Sequence, residues 1–559
     1  MTSTRSKSST ARRLWRDRLL LTLIGLVLFG AGLGMRDPWP PDEPRFALVA
    51  KQMVESSDWL IPRRAGEIYS HKPPLFLWMV AVLYLITGSI RISFLLPSVI
   101  AGIATVLLIH DLARRLWTMR SAFLAGLTLL TVFQFVMQAR AGQIDAVLTF
   151  WITLGVYGLL RHLLLGPSLL WWFVAFAAMG AGIITKGVGF LPLFLLIPFG
   201  IASKRHWPNL SSRAPTWRLV TGGLAVMLVV IAMWLVPMWL AVERSDDPAL
   251  DAYRTEILVR QTAGRYTNPW HHFKPPWYFI ASVVPWAWLP LTALLPWALP
   301  AWRRRLRRRD ARIFLPLAWV VLVVLFFSAS PAKRGVYVLP AVPALCLAFA
   351  PLLPGLLRLR GVQLAARTLT IAIALILSVA ATLVVLKPTA ISERVFLRNE
   401  DLRFALLTLV GVAIAGLLLS TLPLRRAPVG YALLIWTIFL GAGVLVMPRM
   451  NEVSSARHFM RTLRPLLAAD EELGMLAWRE QFVLQSDRPV KTFGYGRGDF
   501  DPEAREAARW LLSRDRRALL VTDEHAAFCF DEAKAIPLDR QSRRNWFLVR
   551  KDAIRPPCR

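Results

Sequence analysis

The feature that most constrains this chain is a series of apolar runs, several long enough to cross a bilayer at about 20 residues each. They begin near residues 19, 74, 93, 121, 145, 169, 187, 218, 276, 313, 335, 368, 403 and 429. A chain patterned this way cannot be an ordinary soluble enzyme, a fibrous protein or a disordered segment. Composition agrees: 55% of the 559 residues are hydrophobic and 18% are charged, against about 25% charged in soluble domains. The basic start Thr4–Arg18 and the run at about 19–35 resemble the first parts of a signal peptide. No small-residue cleavage pattern follows, so the run reads as an uncleaved first span.

Basic clusters decide which runs cross, because Lys and Arg collect on the cytoplasmic side. With the N-terminus inside, Arg114/Arg115/Arg120, Lys204/Arg205, Arg303–Arg309, Arg358/Arg360 and Arg425/Arg426 all fall inside if the segment Pro74–Gly88 does not cross. That segment is the shortest candidate, and it reads as a helix buried in protein on the outer side. The expected architecture is an α-helical polytopic membrane protein of about 13 transmembrane helices over residues 1–447, with a soluble α/β domain outside at 448–559. Outer loops are expected at 36–92, 139–144, 241–275, 330–334 and 387–401. Most of the net charge of +32 then sets orientation and does not point to nucleic acid.

The tail has helical periodicity at Ser454–Ala469 and Pro502–Ser513. Leu473–Trp478, Val490–Tyr495, Ala518–Thr522 and Trp546–Val549 have strand character. Three cysteines are too few for a disulfide scaffold. Cys529 and Cys558 lie in the soluble domain, where an oxidising compartment allows a pair; two unpaired thiols is the competing expectation.

Ionisable groups at the membrane's outer boundary are costly and are read as functional candidates. Asp42-Glu43-Pro44-Arg45 follows the first span, and Asp42 either caps the helix that Pro44 opens or acts on a substrate. Tyr69-Ser-His71-Lys72-Pro-Pro places a cation at a helix start, which suits a phosphate there; snorkelling to the interface is the alternative. Asp145 opens the run after Arg140. Lys333 and Arg334, with Tyr337 just beyond, put two adjacent cations in an outer loop, against the positive-inside trend unless they meet an anion. His272, with His71 or Glu67, could ligate a divalent metal such as zinc; a solvated or hydrogen-bonding histidine is the commoner case. No phosphate-binding loop or dinucleotide fingerprint is present, so a lipid-linked donor reached from the outer leaflet fits better than a nucleotide sugar.

Taken together, Asp42-Glu-Pro-Arg45, Lys72-Pro-Pro74, Asp145, Thr185-Lys-Gly187 and Lys333-Arg-Gly-Val-Tyr337-Val-Leu-Pro340 resemble the GT-C membrane glycosyltransferases. The likeness is closest to the bacterial lipid A 4-amino-4-deoxy-L-arabinose transferases, relatives of the protein O-mannosyltransferases. It extends over nearly the whole chain. His71 is a departure, since an acidic residue can precede the Lys in relatives. The resemblance implies a multi-pass protein of the bacterial inner membrane, acting as a monomer with its site facing the periplasm. It would move the aminosugar from undecaprenyl phosphate to a lipid A phosphate. It also implies catalytic roles for Asp42, Glu43 and Asp145, and phosphate contacts from Arg45, Lys72, Lys333, Arg334, Tyr337 and Tyr69. The alternatives are a polyprenyl-phosphate-sugar transferase acting on protein or another glycan, and a non-enzymatic polyprenyl-lipid transporter. Against the transporter, no inverted repeat of hydropathy is present.

Overall fold

A computed structural model describes residues 2–211, 215–258, 273–386, 399–495, 501–542 and 544–558. Eight helices in it are long and apolar enough to cross a membrane, and two sharply bent pairs, Met119–Leu129 with Phe133–Ala139 and Phe279–Ala287 with Thr292–Arg307, raise the number to ten. The remaining three of the thirteen expected runs are helical but shorter, broken or more charged. These are Thr2–Gly30 with its basic first half, Leu191–Lys204, and the run near 335, which breaks into Gly335–Val338, Ala341–Phe349 and Leu353–Leu356. The chain is a multi-pass membrane protein. Leu75–Thr87 is a 13-residue helix packed on the helix Glu43–Ser56 through Phe46, Phe76, Leu77 and Val80; at about 20 Å it is too short to span.

Burial sorts the spans into inner and outer. The apolar stretch of Ile144–Leu165 is 78% buried, whereas those of Trp217–Glu243 and Arg360–Leu386 are only 17% buried. The last two face lipid, and Ile144–Leu165 is the central post. It admits the helix Leu169–Lys186 closely because Gly158 has no side chain: a Cβ there would lie 2.4 Å from the Trp171 carbonyl oxygen. Small residues of this kind let membrane helices approach where no hydrophobic drive exists. The central post begins with Asp145 and its neighbour ends with Lys186, so tight packing of the two helices brings those side chains together.

The first outer loop is fastened by a buried acid absent from the expectations above. Asp37, 1% exposed, accepts from Arg91 Nε at 2.7 Å, Arg457 Nη2 at 2.9 Å and Asn451 Nδ2 at 2.7 Å. Burial alone would raise its pKa, but these cationic and amide donors hold it below the usual carboxylate range. The loop is thereby tied both to Arg91 and to the start of the C-terminal region.

That region contains a five-stranded sheet in the order β4-β3-β5-β7-β6. Its strands are β3 (Glu472–Trp478), β4 (Val490–Tyr495), β5 (Arg517–Thr522), β6 (Ile536–Gln541) and β7 (Arg544–Val549); β1 (Arg63–Arg64) and β2 (Glu67–Ile68) form a separate small hairpin. β4, β3 and β5 run parallel, and β7 and β6 are antiparallel. Phe459, Phe482 and Trp546 cover one face, while Ala504, Ala507 and Leu511 cover the other. The central strand β5 is therefore buried along its whole length, as a sheet covered on both faces requires. Four strands coincide with the expected ones to within two residues. The edge strand β6 was missed because its Ile-Pro-Leu-Asp-Arg-Gln sequence is mostly exposed and does not alternate. The boundary at 448 falls inside a helical run that continues through Met447–Ser454.

Cys529 and Cys558 form a disulfide with Cα atoms 5.4 Å apart, closing a 29-residue separation. A loop of this length gains about 3.5 kcal/mol from a cross-link. Cys529→Ser is expected to lower the stability of the C-terminal domain by roughly that amount and to yield a titratable thiol at Cys558. One titratable thiol, that of Cys346, is expected in the denatured, non-reduced wild type; three would refute the pairing.

Candidate active site

Asp42 precedes the helix Glu43–Ser56, but its side chain makes no capping hydrogen bond. The capping expectation is therefore corrected. The carboxylate instead accepts from Arg334 Nη2 at 3.2 Å and lies 3.6 Å from Arg45 Nη1. The partner Arg334 comes from the late outer loop, 292 residues away. Burial opposes the charge of Arg334, yet Asp42 first, and then Asp145 and Tyr337, hold its pKa above the ordinary arginine value. One guanidinium thus stands in the field of both sequence-predicted aspartates.

Asp145 does not cap its helix either; Gln143 occupies that position without a side-chain bond. Asp145 is 8% exposed and is ion-paired with Lys186. The Lys186 ammonium also lies 5.0 Å from the centroid of Tyr337, at a cation–π distance. Tyr337 sits in the turn Gly335–Val338, which is held by Gln134 donating to the Gly335 carbonyl at 2.8 Å. Four elements distant in sequence therefore converge: Asp42, Asp145, Lys186 and the Arg334–Tyr337 turn.

Other expected residues take different positions. Glu43 is 6% exposed and its oxygens are occupied by both guanidinium nitrogens of Arg36, by the Trp39 amide at 3.0 Å and by the Gly142 amide at 2.9 Å. Glu43 was expected among the catalytic acids, but a carboxylate so saturated braces the first loop against the Arg140–Asp145 loop. Gly142 is required there, since a Cβ would meet the Phe94 ring at 2.4 Å. Lys333 was expected to contact phosphate. Its side chain is buried and its ammonium donates to the carbonyls of Lys274 and Ser330, so it staples its own loop while Arg334 enters the site.

Arg45 is committed as well. Its Nε donates to Glu480 Oε1 at 3.0 Å and its Nη2 to the Tyr495 hydroxyl at 3.0 Å. Burial disfavours its charge, but Glu480 and the tyrosines raise its pKa. Glu480 Oε1 also accepts from Tyr495 at 2.9 Å and Arg64 Nη1 at 3.4 Å. Arg64 stacks over Tyr495 at 4.0 Å, with Tyr69 at 5.9 Å. Tyr69 is buried, which raises the pKa of its phenol. Glu480 and Tyr495 belong to the C-terminal domain, so that domain grips the residue beside Asp42. The sequence signal was weak: Glu480 lies between an apparent strand and a polar stretch with no motif around it. Glu480→Gln leaves the buried Arg64 and the partly buried Arg45 without their shared carboxylate and is expected to cost about 3 kcal/mol. An unchanged thermal midpoint would show that the grip does not hold the domains.

Lys72 lies just before the helix Leu75–Thr87 and is partly exposed; His71 is exposed, its ring 5.3 Å from that of Tyr69. Glu67 is ion-paired with Arg64 at 3.5 Å. Among the described residues no group of three or more His, Cys, Asp or Glu side chains could hold a metal. The third expected ligand, His272, lies outside the described residues, as do parts of the 241–275 and 387–401 loops.

Residues 71–235 match the family described as dolichyl-phosphate-mannose-protein mannosyltransferase. Over 491 residues the chain is 29% identical to the undecaprenyl phosphate-alpha-4-amino-4-deoxy-L-arabinose arabinosyl transferase of Pseudomonas aeruginosa, covering 84% of each protein. A Pseudomonas fluorescens protein of the same name is 30% identical over 352 residues, 62% of this chain and 61% of its own. The fold matches ArnT from Cupriavidus metallidurans bound to undecaprenyl phosphate with a TM-score of 0.73 at 20% identity, covering 95% of this chain and 97% of that one. The chain is a membrane-embedded glycosyltransferase similar to these proteins. In this glycosyltransferase the matched segment 71–235 runs from His71 and Lys72 through Asp145 and Lys186. Asp42 and Arg334 complete the cluster from outside it.

Proposed function

We propose that the chain transfers 4-amino-4-deoxy-L-arabinose from undecaprenyl phosphate to a phosphate of lipid A, at the periplasmic face of the bacterial inner membrane. The observation that carries this reading is the convergence of Asp42 and Asp145 on Arg334, with Lys186 beside them. Alternating cations and carboxylates suit a reaction in which an anion attacks, an anion leaves and a cationic aminosugar lies between. The names of the relatives support the donor and the sugar. In this reading thirteen helices cross the membrane, the C-terminal domain stands in the periplasm and the enzyme works as a monomer.

The chemistry follows from charge. A phosphate monoester has its second pKa near 6, so the acceptor is already a nucleophile at neutral pH. Its oxygen attacks the anomeric carbon of the sugar. The bond from that carbon to the undecaprenyl phosphate oxygen breaks, and the electron pair leaves with the phosphate. Arg334 and Lys72 hold the departing charge, as fixed cations aimed at the place where charge develops do. Asp42 steadies positive charge developing on the sugar ring, and Asp145, fixed by Lys186, orients the aminosugar. Tyr337 keeps Lys186 in place.

The test is transfer of labelled aminosugar from its undecaprenyl phosphate carrier to lipid A by the purified protein in lipid. Covalently labelled lipid A is expected. Product on a peptide hydroxyl would redirect the reading to protein glycosylation, and movement of intact donor across the bilayer without product would make the protein a transporter.

A further inference from the structure

A second feature, apolar and separate from the charged cluster, lies at the other end of the bundle. An apolar groove of about 210 Å³ is walled by Leu124 and Thr131, by Leu294, by Leu357 and Ala366, and by Tyr431. It opens sideways past Val429 and Leu433, both exposed. Trp436 lines it and donates to the Leu130 carbonyl at 2.9 Å, tying two of its walls together. The space is below the usual 300–1,000 Å³ of a compact ligand pocket, so it suits one slender hydrocarbon chain.

Two observations point to an occupant with a charged head. Tyr431 lines the groove, is 3% exposed, and its hydroxyl has no hydrogen-bond partner; Arg367, next to the lining residue Ala366, has a buried and unpartnered Nε. Buried polar atoms are normally satisfied, and the Tyr431 hydroxyl of the groove is not. Arg358, Arg360, Arg425 and Arg426 are exposed where the lining helices begin or end. Among the described residues none of the four forms an ion pair. The turn Leu424–Arg426 packs on the helix Arg360–Leu386, and Arg367 donates to the Leu422 carbonyl, so the basic residues share one rim.

We propose that this groove binds an anionic glycerophospholipid of the arginine-rich leaflet, with one acyl chain along Leu357, Ala366 and Tyr431 and the phosphate on the arginine rim. The polarity fits a lipid in place: the charged rim lies at the helix ends and the apolar groove runs toward the bilayer centre. The rim is also remote from the transfer site. The helix Ala427–Gly441 starts beside Arg426 and runs about 20 Å toward Gly443, which lies against Arg140. A sugar donor bound at Arg334 therefore cannot place its phosphate on this rim.

The experiment uses the full-length, delipidated protein titrated with phosphatidylglycerol or phosphatidylcholine, read by thermal midpoint and by native mass spectrometry. Phosphatidylglycerol is expected to bind one per chain and to raise the midpoint, with phosphatidylcholine doing neither. Arg425→Gln/Arg426→Gln should weaken phosphatidylglycerol binding at least 10-fold while leaving the chain monodisperse and active in transfer. Ala366→Trp should fill the groove and remove binding; Ala432→Leu is the smaller filling if the tryptophan blocks insertion. Equal response to both lipids, full affinity in the arginine double variant, or mole-for-mole displacement by undecaprenyl phosphate would overturn the proposal.

Discussion

Asp42→Asn is expected to lower transfer by at least 100-fold while leaving the thermal midpoint within a degree or two of wild type. Asn caps helices about as well as Asp, and the Asp42 side chain makes no capping bond in any case, so stability has little reason to change. The substitution keeps size and shape and removes the negative charge facing Arg334. Charged groups placed on a reacting centre contribute factors of about 10²–10³. The measurement is transfer rate against donor concentration, normalised to folded protein. If Asp42 acts on the sugar in the transition state, kcat falls and the donor KM moves little. Lys72→Ala gives the contrasting pattern, with raised donor KM and residual turnover at saturation, because it removes a phosphate contact. Wild-type turnover in Asp42→Asn would remove that residue from the chemistry and leave Asp145 as the carboxylate.

The second large effect is at the Asp145–Lys186 pair, whose side chains are 11% and 12% exposed. Removing one partner of a buried ion pair strands the other charge, at a cost of about 3–5 kcal/mol. Lys186→Met is therefore expected to lower the thermal midpoint strongly and to abolish transfer. Asp145→Asn combined with Lys186→Met removes both charges, and stability should largely return because no charge is stranded. Activity should not return with it. Restored transfer in the double variant would show that the pair only holds two helices together. A single variant as stable as wild type would show that Asp145 finds another cation, Arg334 being the nearest candidate by charge.

The sequence was most legible where a short motif had one physical job. The run at 74–88 was too short to span and is a 13-residue helix packed on protein. Strands β3 and β5 were visible because their apolar residues are nearly continuous, as burial on both faces demands, and β4 and β7 because aromatic and β-branched residues mark them. β6 was not, because its residues are mostly exposed, include Pro, Asp and Arg, and do not alternate. In the site, Asp42, Asp145, Arg334 and Tyr337 were all named and all gather. Glu43 and Lys333 were named beside them for their charge, and sequence adjacency misled. Neighbouring side chains on a helix start or a tight turn point in different directions, so of two adjacent charges one enters the cluster and the other fastens the backbone. Glu480 and Asp37 were missed because each is fixed by an arginine more than 400 residues away in sequence.

The grip of Glu480 on Arg45 has a consequence for how such enzymes can diverge or be recombined. The tail carries no motif of the reaction, and one face of its sheet has a core drawn from the tail alone, so it resembles a module that could be exchanged between relatives. Yet its carboxylate holds the guanidinium adjoining Asp42, and its Tyr495 ring lies under Arg64. A grafted tail lacking this acid and phenol would leave two arginines loose beside the transfer site, where either could collapse onto Asp42 and neutralise it. Arg45, Arg64, Glu480 and Tyr495 must therefore travel together. A chimera joined anywhere between residues 64 and 480 should recover activity only when both parents supply the same four residue types.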